Sequence, residues 1–482
     1  MTSLPRLARR LALLTVFGAA ASQAAPVDET WMSVLLDGRK IGSMQNSRMV
    51  AGDHVTTTQN MRIELDRAGT KLALTQTEVD EETADGKPLK FESRTLASGS
   101  ESLVRGEIRD GTVEVHRRVA GKEQTRTLEW PKGALLAEGL RLAEARAGFS
   151  EGARYSVLAF QAENLEAITI ESQVGPTQTI ELPEGARLLT RIEQTIHLPD
   201  ASTKTSAWVD RDQNVAKLIM PLMGYELTMV ACSQACAQAP NQSADILTHA
   251  IVTAPRALTP DERRHGIVLS VSASDGGEAL QFAETDEQRV QAAPGHVELR
   301  IAPTAAAADS LQSKPDAADT QPNDWLQSDA PEVVALARKG VGHAISASDK
   351  MQHLEDFVRG YIRSKNLSVG YASALEVVHR PEGDCTEHAV LLAALARALG
   401  IPAHVVDGVA YVDEYDGKQH VFVPHAWVQA YVGGRWRSYD AALRGFDAGH
   451  IALSYGNGDP WRFFAAFNTL GRIRVDHIDP AP

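Results

Sequence analysis

Gly383-Asp384-Cys385-Thr386-Glu387-His388 leads directly into the apolar run Ala389–Leu399, which Gly400-Ile401-Pro402 brings to a stop. Asp384 is a helix N-cap residue and Glu387 stands where a capping box needs it, so the pattern predicts a helix over Cys385–Leu399. That helix is apolar nearly all round, which makes it central to a core, and the glycine and proline after it end it. Cys385 then occupies the first turn, where backbone N–H groups and the positive end of the helix dipole stabilise a thiolate.

Downstream the periodicity changes from helical to extended. Strands are predicted at Ala403–Val412, His420–Val432 and Arg435–Asp440, with hairpin turns at Asp416-Gly417 and Gly433-Gly434. If Gly433-Gly434 is a two-residue loop, Trp427 faces Asp440, and His425 lies on the same face as Asp440, diagonally adjacent at roughly 7–8 Å between backbones. An imidazole and a carboxylate can bridge that gap. A nucleophilic Cys needs a base, and the base an orienting partner; Cys385, His425 and Asp440 are therefore the candidate site, with Asp447 next in line should Asp440 be structural. The other reading of the same residues is a buried inert Cys and a hydrogen-bonded core His.

Upstream, helices are predicted from about 329, with Asp329 capping one whose first turn holds Pro331. Ser348 or Asp349 caps a second, whose apolar face is Met351, Leu354, Phe357, Val358, Tyr361 and Ile362. Pro303–Asn323 is rich in Ala, Asp, Ser and Pro and reads as a linker or surface loop. Before it, 251–302 is mixed, with candidate strands at Gly266–Val271 and His296–Ile301. From Trp31 to about Val230, short alternating runs such as Val113-Glu114-Val115-His116 are separated by turn signals such as Asp37-Gly38 and Asp110-Gly111, the pattern of an antiparallel meander. One helix, Gly133–Ala147, interrupts it. The expected division is 1–24 signal segment, 25–250 β-rich domain, 251–324 mixed β segment and linker, and 325–482 α+β domain.

The 482 residues carry 43 % hydrophobic side chains and a formal charge of −14. This excludes global disorder, collagen and coiled coil, and an acidic surface repels phosphate backbones, so no nucleic-acid partner is expected. No apolar run approaches the roughly 18 residues of a membrane span. Arg6, Arg9 and Arg10 precede the apolar stretch Leu11–Ala21, and Ser22-Gln23-Ala24 supplies small residues for cleavage, the order of a secretory signal. Export to the periplasm or beyond follows, with no stable membrane span after cleavage. Of the three cysteines, Cys232 and Cys236 are spaced for a disulfide, and Cys385 has no sequence neighbour to pair with.

Some signals are discounted on chemical grounds. Gly148-Phe149-Ser150-Glu151-Gly152 has the spacing of a nucleophile elbow, but an elbow needs a strand before the Ser and a helix after it, and the predicted order is the reverse. Asp413–Gly417 is a hairpin turn, too short for a calcium loop. His388 with His404 or His420 matches no zinc spacing, so no metal or other cofactor is expected.

Gly-Asp-Cys-Thr-Glu-His (383–388), Ala-Leu-Ala-Arg-Ala-Leu-Gly-Ile-Pro-Ala-His-Val-Val-Asp-Gly (394–408), and His-Ala-Trp-Val-Gln-Ala-Tyr (425–431) with Gly-Arg-Trp and Asp440 closely resemble the bacterial transglutaminase-like proteins, relatives of papain-like cysteine enzymes. The resemblance covers about 331–475. Gly-Phe-Asp-Ala-Gly-His-Ile, 445–451, also looks like the region that follows the triad in those proteins. The resemblance implies an α+β papain-like domain behind the antiparallel β-rich one, with Cys385 as nucleophile, His425 as general base and then acid, and Asp440 orienting His425. It departs from the family at Ala441-Ala442, where Pro-Thr is common, and at His404, where Arg is usual. The β-rich region resembles, more loosely, the lipoprotein-carrier-like half-barrel. The expectation is an exported thiol enzyme acting on amide or peptide bonds of a protein or peptide substrate, by transfer to an amine acceptor or to water. The alternative is a periplasmic binding or scaffold protein with a vestigial triad.

Overall fold

The computed structural model describes residues 27–481 apart from 68–69, 98–99, 120–121, 198–201, 223–224, 247–249, 275–279, 304–309, 366–370 and 460–468. The expected signal segment lies outside the described residues.

The alternating runs of the first half form fourteen antiparallel strands: β1 (Val27–Leu36), β2 (Arg39–Ala51), β3 (His54–Arg67), β4 (Thr70–Thr83), β5 (Pro88–Ala97), β6 (Ser100–Arg109), β7 (Thr112–Val119), β8 (Lys122–Glu129), β9 (Arg154–Gln161), β10 (Glu166–Leu182), β11 (Gly185–His197), β12 (Ser202–Val209), β13 (Val215–Leu222) and β14 (Tyr225–Cys232). They make one sheet in the order β8 to β1, then β14 down to β9, so two meanders are joined where β1 pairs with β14, Trp31 opposite Cys232. The period of two is visible in β7, where Val113 and Val115 are buried and their neighbours exposed; each such burial contributes roughly 1.5–3 kcal/mol.

The interrupting helix α1 spans Ala137–Ala147, shorter than expected. Its expected start pairs as sheet instead, because Leu135 donates to the Leu158 carbonyl and accepts from the Phe160 N–H, both at 2.9 Å. The sheet curls so that α1 touches β9 at one edge and β3 and β4 further round. Glu82 on β4 receives the helix, its carboxylate accepting the N–H groups of Glu138 and Gly139. After β14 the short helix α2 (Gln234–Ala237) follows, and Cys232 and Cys236 form the expected disulfide.

The second half holds β15 (Val252–Thr253), α3 (Pro260–His265), β16 (Ile267–Ala273), β17 (Gln288–Ala293), β18 (His296–Ile301), α4 (Pro331–Val341), α5 (Ala347–Tyr361), α6 (Ala374–His379), α7 (Cys385–Ala398), β19 (Ala403–Tyr415), β20 (Lys418–Val432), β21 (Arg435–Tyr439), β22 (His450–Gly456) and β23 (Ile473–Pro480). Helix α7 is buried along its length and packs on β20, with α4, α5 and α6 around it. One sheet runs β15-β20-β19-β22, with β21 also on β20, and a second runs β17-β18-β16-β23.

Strands from 252–301 enter both sheets, pairing with β20 and β23, so that stretch is built into the C-terminal half. Arg256 ties them further, its guanidinium bonding Glu262 of α3 at 2.6 Å and the Ile478 carbonyl of β23 at 2.9 Å. Residues 310–323, expected as linker or loop, also pack here. Gln312 is buried and donates to Gln429 of β20 at 3.0 Å, and the Gln321 carbonyl accepts from Arg397 of α7 at 2.8 Å. Two caps differ from expectation: Ala330, not Asp329, precedes α4 without a side-chain cap, and Ser346 caps α5 by accepting from the Asp349 N–H.

Candidate active site

The start of α7 is held as the capping pattern requires. Asp384 accepts from the Thr386 N–H at 3.0 Å, and the Glu387 carboxylate accepts from the Asp384 N–H at 2.9 Å and from the Ala372 N–H at 2.9 Å. Gly383, at φ +141°, makes this turn feasible: a Cβ there would meet the Glu387 side chain at 2.3 Å. Cys385 is thus the first helical residue, half-buried against the core and outside any disulfide.

The hairpin carries the other two candidates. Gly433 and Gly434, both at positive φ, form the two-residue loop, and Val432 pairs with Arg435 and Val428 with Tyr439. The register therefore continues to Trp427 and Asp440, and His425 falls on the Asp440 face as the parity argument requires. The side chains meet: His425 Nε2 lies 2.8 Å from Asp440 Oδ2, both buried. The other oxygen, Oδ1, accepts the N–H groups of Ala442 at 2.8 Å and Leu443 at 3.1 Å. From α5, Glu355 accepts the Asp440 N–H at 2.9 Å and Arg359 donates to the Asp440 carbonyl at 3.1 Å. Burial raises the Glu355 pKa to about 7 despite that bond.

Burial would also raise the Asp440 pKa, but the charges and hydrogen bonds of His425 and His450 more than reverse it and hold the carboxyl well below its usual range. Asp440 is therefore ionised, and an ionised carboxylate only accepts, so His425 carries its proton on Nε2 and leaves Nδ1 for a second partner. Helix α7 packs on β20, the strand that carries His425, and His388 stands one turn after Cys385. Burial pushes the His388 pKa down, and its Nε2 has no hydrogen-bond partner among the described residues.

Sequence reasoning missed His450, Arg263 and Glu355. His450 Nε2 lies 3.0 Å from the same Asp440 oxygen, and its Nδ1 lies 3.0 Å from the Asp447 carbonyl. Asp447, the fallback orienting residue, engages His450 and, at 2.7 Å, Arg263 of α3. The only signal for His450 was the 445–451 segment. Trp427 and Phe446 wall the site, their rings 5.2 and 4.9 Å from His450.

His425, Asp440 and His450 also place three potential ligand atoms within 4.8 Å of one another. Ligands round a tetrahedral zinc stand about 3.3 Å apart; the 2.8 and 3.0 Å separations are instead those of charge-assisted hydrogen bonds. His388, His404 and His420 are not brought together: His404 bonds Gln429 at 3.1 Å and His420 bonds the Tyr411 hydroxyl at 3.1 Å. Ser150 follows α1 and precedes β9, the order opposite to an elbow, and Asp416-Gly417 is the β19–β20 turn.

Residues 334–441 match the sequence model of the transglutaminase-like superfamily. An uncharacterized protein of Mycobacterium leprae is 36 % identical over 72 residues, 14 % of this chain and a quarter of that protein's length. Among solved structures, a β-barrel-like protein of a domain of unknown function from Brucella abortus is similar at 16 % identity and TM-score 0.34, over 44 % of this chain and 97 % of that one. A protein from Cytophaga hutchinsonii described as a candidate cysteine protease is similar at 18 % identity and TM-score 0.27, over 45 % of this chain and 85 % of that one. The chain therefore carries, over residues 334–441, a domain of the transglutaminase-like superfamily.

Proposed function

We propose that this protein is an exported thiol enzyme, periplasmic or secreted, that transfers or hydrolyses acyl groups at amide or peptide bonds through Cys385, His425 and Asp440. The observation that carries the reading is the buried 2.8 Å pair of His425 and Asp440 on the hairpin that packs against the helix headed by Cys385. That pairing fixes the tautomer whose Nδ1 can take a proton.

In this mechanism the Cys385 thiol gives its proton to His425, and the thiolate sulfur attacks the carbonyl carbon. The oxyanion accepts from the Cys385 N–H at the helix start. The imidazolium then protonates the departing amine as the C–N bond breaks, leaving a thioester. An amine acceptor or water, deprotonated by His425, attacks that thioester and releases Cys385. Asp440 stays ionised throughout and stabilises the imidazolium. Export is supported by the basic, apolar and small-residue order of 6–24 and accords with the Cys232–Cys236 disulfide. The substrate is a protein or peptide, and the reaction needs no cofactor.

Alkylation by iodoacetamide at pH 6, mapped by peptide mass spectrometry, tests the reading. Cys385 should react much faster than a model thiol, and His425→Ala should slow it. Rates equal to the model thiol, unchanged by His425→Ala, would assign the domain to binding or scaffolding. Profiling with amine donors and glutamine-containing peptides then separates transfer from hydrolysis.

A further inference from the structure

We propose that His450 is a positioning residue of this site, clamping the Asp440 carboxylate through the same oxygen that meets His425. The inference rests on the Cys385–His425–Asp440 reading and extends the working unit beyond residues 334–441.

Every acceptor direction of Asp440 is used. Oδ1 takes the two turn N–H groups, and Oδ2 is shared by the Nε2 atoms of His425 and His450, at 2.8 and 3.0 Å. A carboxylate held by the turn and His425 alone could still swing about its side-chain bonds; a second imidazole on Oδ2 removes that freedom. His450 is itself fixed at the start of β22. Its Nδ1 faces Asp447, whose Oδ1 accepts the Gly449 N–H at 2.8 Å and whose Oδ2 is gripped by Arg263 at 2.7 Å. The groups facing His450 are Asp440 from the end of β21, Asp447 from the loop before β22, and His425 from β20, with Arg263 of α3 behind Asp447.

Burial alone would strip the proton from His450, but hydrogen bonds to Asp440 and Asp447 outweigh it and raise its pKa to about 9. His450 is thus a cation at neutral pH, and the chain Asp440, His450, Asp447, Arg263 alternates in charge. The cation draws on the same oxygen that orients His425. It therefore fixes the oxygen to which His425 donates.

The test measures alkylation of Cys385 from pH 5 to 10 in the full chain, alongside thermal unfolding. His450→Leu removes the donor, and the rate at pH 6 should fall about tenfold or more, the loss of one charge-assisted hydrogen bond. His450→Gln restores a neutral donor and should recover most of the rate. If His450→Leu reacts like wild type while His425→Ala is slow, His450 has no positioning role and the triad reading stands. If His425→Ala also reacts like wild type, the triad reading itself has failed. Should His450→Leu not fold, His450→Asn, whose shorter amide falls short of Asp440 Oδ2, takes its place: a folded variant that reacts like wild type overturns the proposal.

Discussion

Replacing Asp440 with Asn keeps size and shape while exchanging one acceptor oxygen for a donor. The turn is spared, because Asn can still accept from Ala442 and Leu443 through its remaining oxygen. The other position is not, since an NH₂ group would face two ring nitrogens that now donate. It can donate to His425 only if the His425 proton moves to Nδ1, and the base can then no longer take a proton from Cys385. By the behaviour of other triads the expected loss of acyl transfer is about 10²- to 10⁴-fold. The cost in stability follows from His450, whose pKa stands at about 9 against an ordinary 6.5. That difference corresponds to roughly 3 kcal/mol, of which Asp440 supplies one of two carboxylate partners, so on the order of 1–2 kcal/mol is lost and the variant still folds. The assay compares wild type, Asp440→Asn, His425→Ala and the double variant on any amide or ester the wild type turns over. Disabling one unit twice should cost little more than disabling it once. Full activity in a normally folded Asp440→Asn would refute the reasoning and leave Asp440 a purely structural carboxylate.

Thiol counting after denaturation should find one reactive thiol per natively isolated chain, Cys385; three thiols, or Cys385 crosslinked to Cys232 or Cys236, would contradict this. Removing the small Cys232–Cys236 loop should cost on the order of 2 kcal/mol in the chain-entropy model and leave the sheet folded. In that sheet, burial raises the Asp80 pKa from 3.8 to about 7. A raised carboxyl means that stability is full below about pH 4 and falls as pH rises through about 7. Asp80→Asn, which still accepts from Ala137, should match wild type at pH 4 and be more stable at pH 8 by on the order of 2–4 kcal/mol in denaturant titrations.

What the sequence made legible was what short-range chemistry specifies. Asp384 and Glu387 announced the start of α7, Gly433-Gly434 set the register, and that register alone put His425 beside Asp440. The misjudged features depend on partners far along the chain. Nothing local marks His450 as a partner of Asp440, because their meeting depends on β22 docking against β19 with a register shift near Asp407. Residues 310–323 read as linker or surface loop, and they are largely irregular; what apolar periodicity could not show is their anchoring by the hydrogen bonds of Gln312 and Gln321. The expected start of α1 was lost to β9 because tertiary pairing of Leu135 outweighed helix propensity. Likewise the meander was readable, but the β1–β14 seam that makes it one fourteen-stranded sheet joins residues about 200 apart.

The seam and strand β23 together set an order of folding. With β1 and β14 side by side, the first sheet has every strand it needs once residue 232 has crossed the membrane. The second half has no such early completion. Strand β23 supplies one neighbour of β16, and its Ile478 carbonyl holds Arg256, which holds Glu262 beside Arg263 and so reaches Asp447, His450 and Asp440. The support beneath the site therefore closes only after residues 473–480 have followed, and a chain still emerging displays Cys385 before the groups meant to govern it are in place.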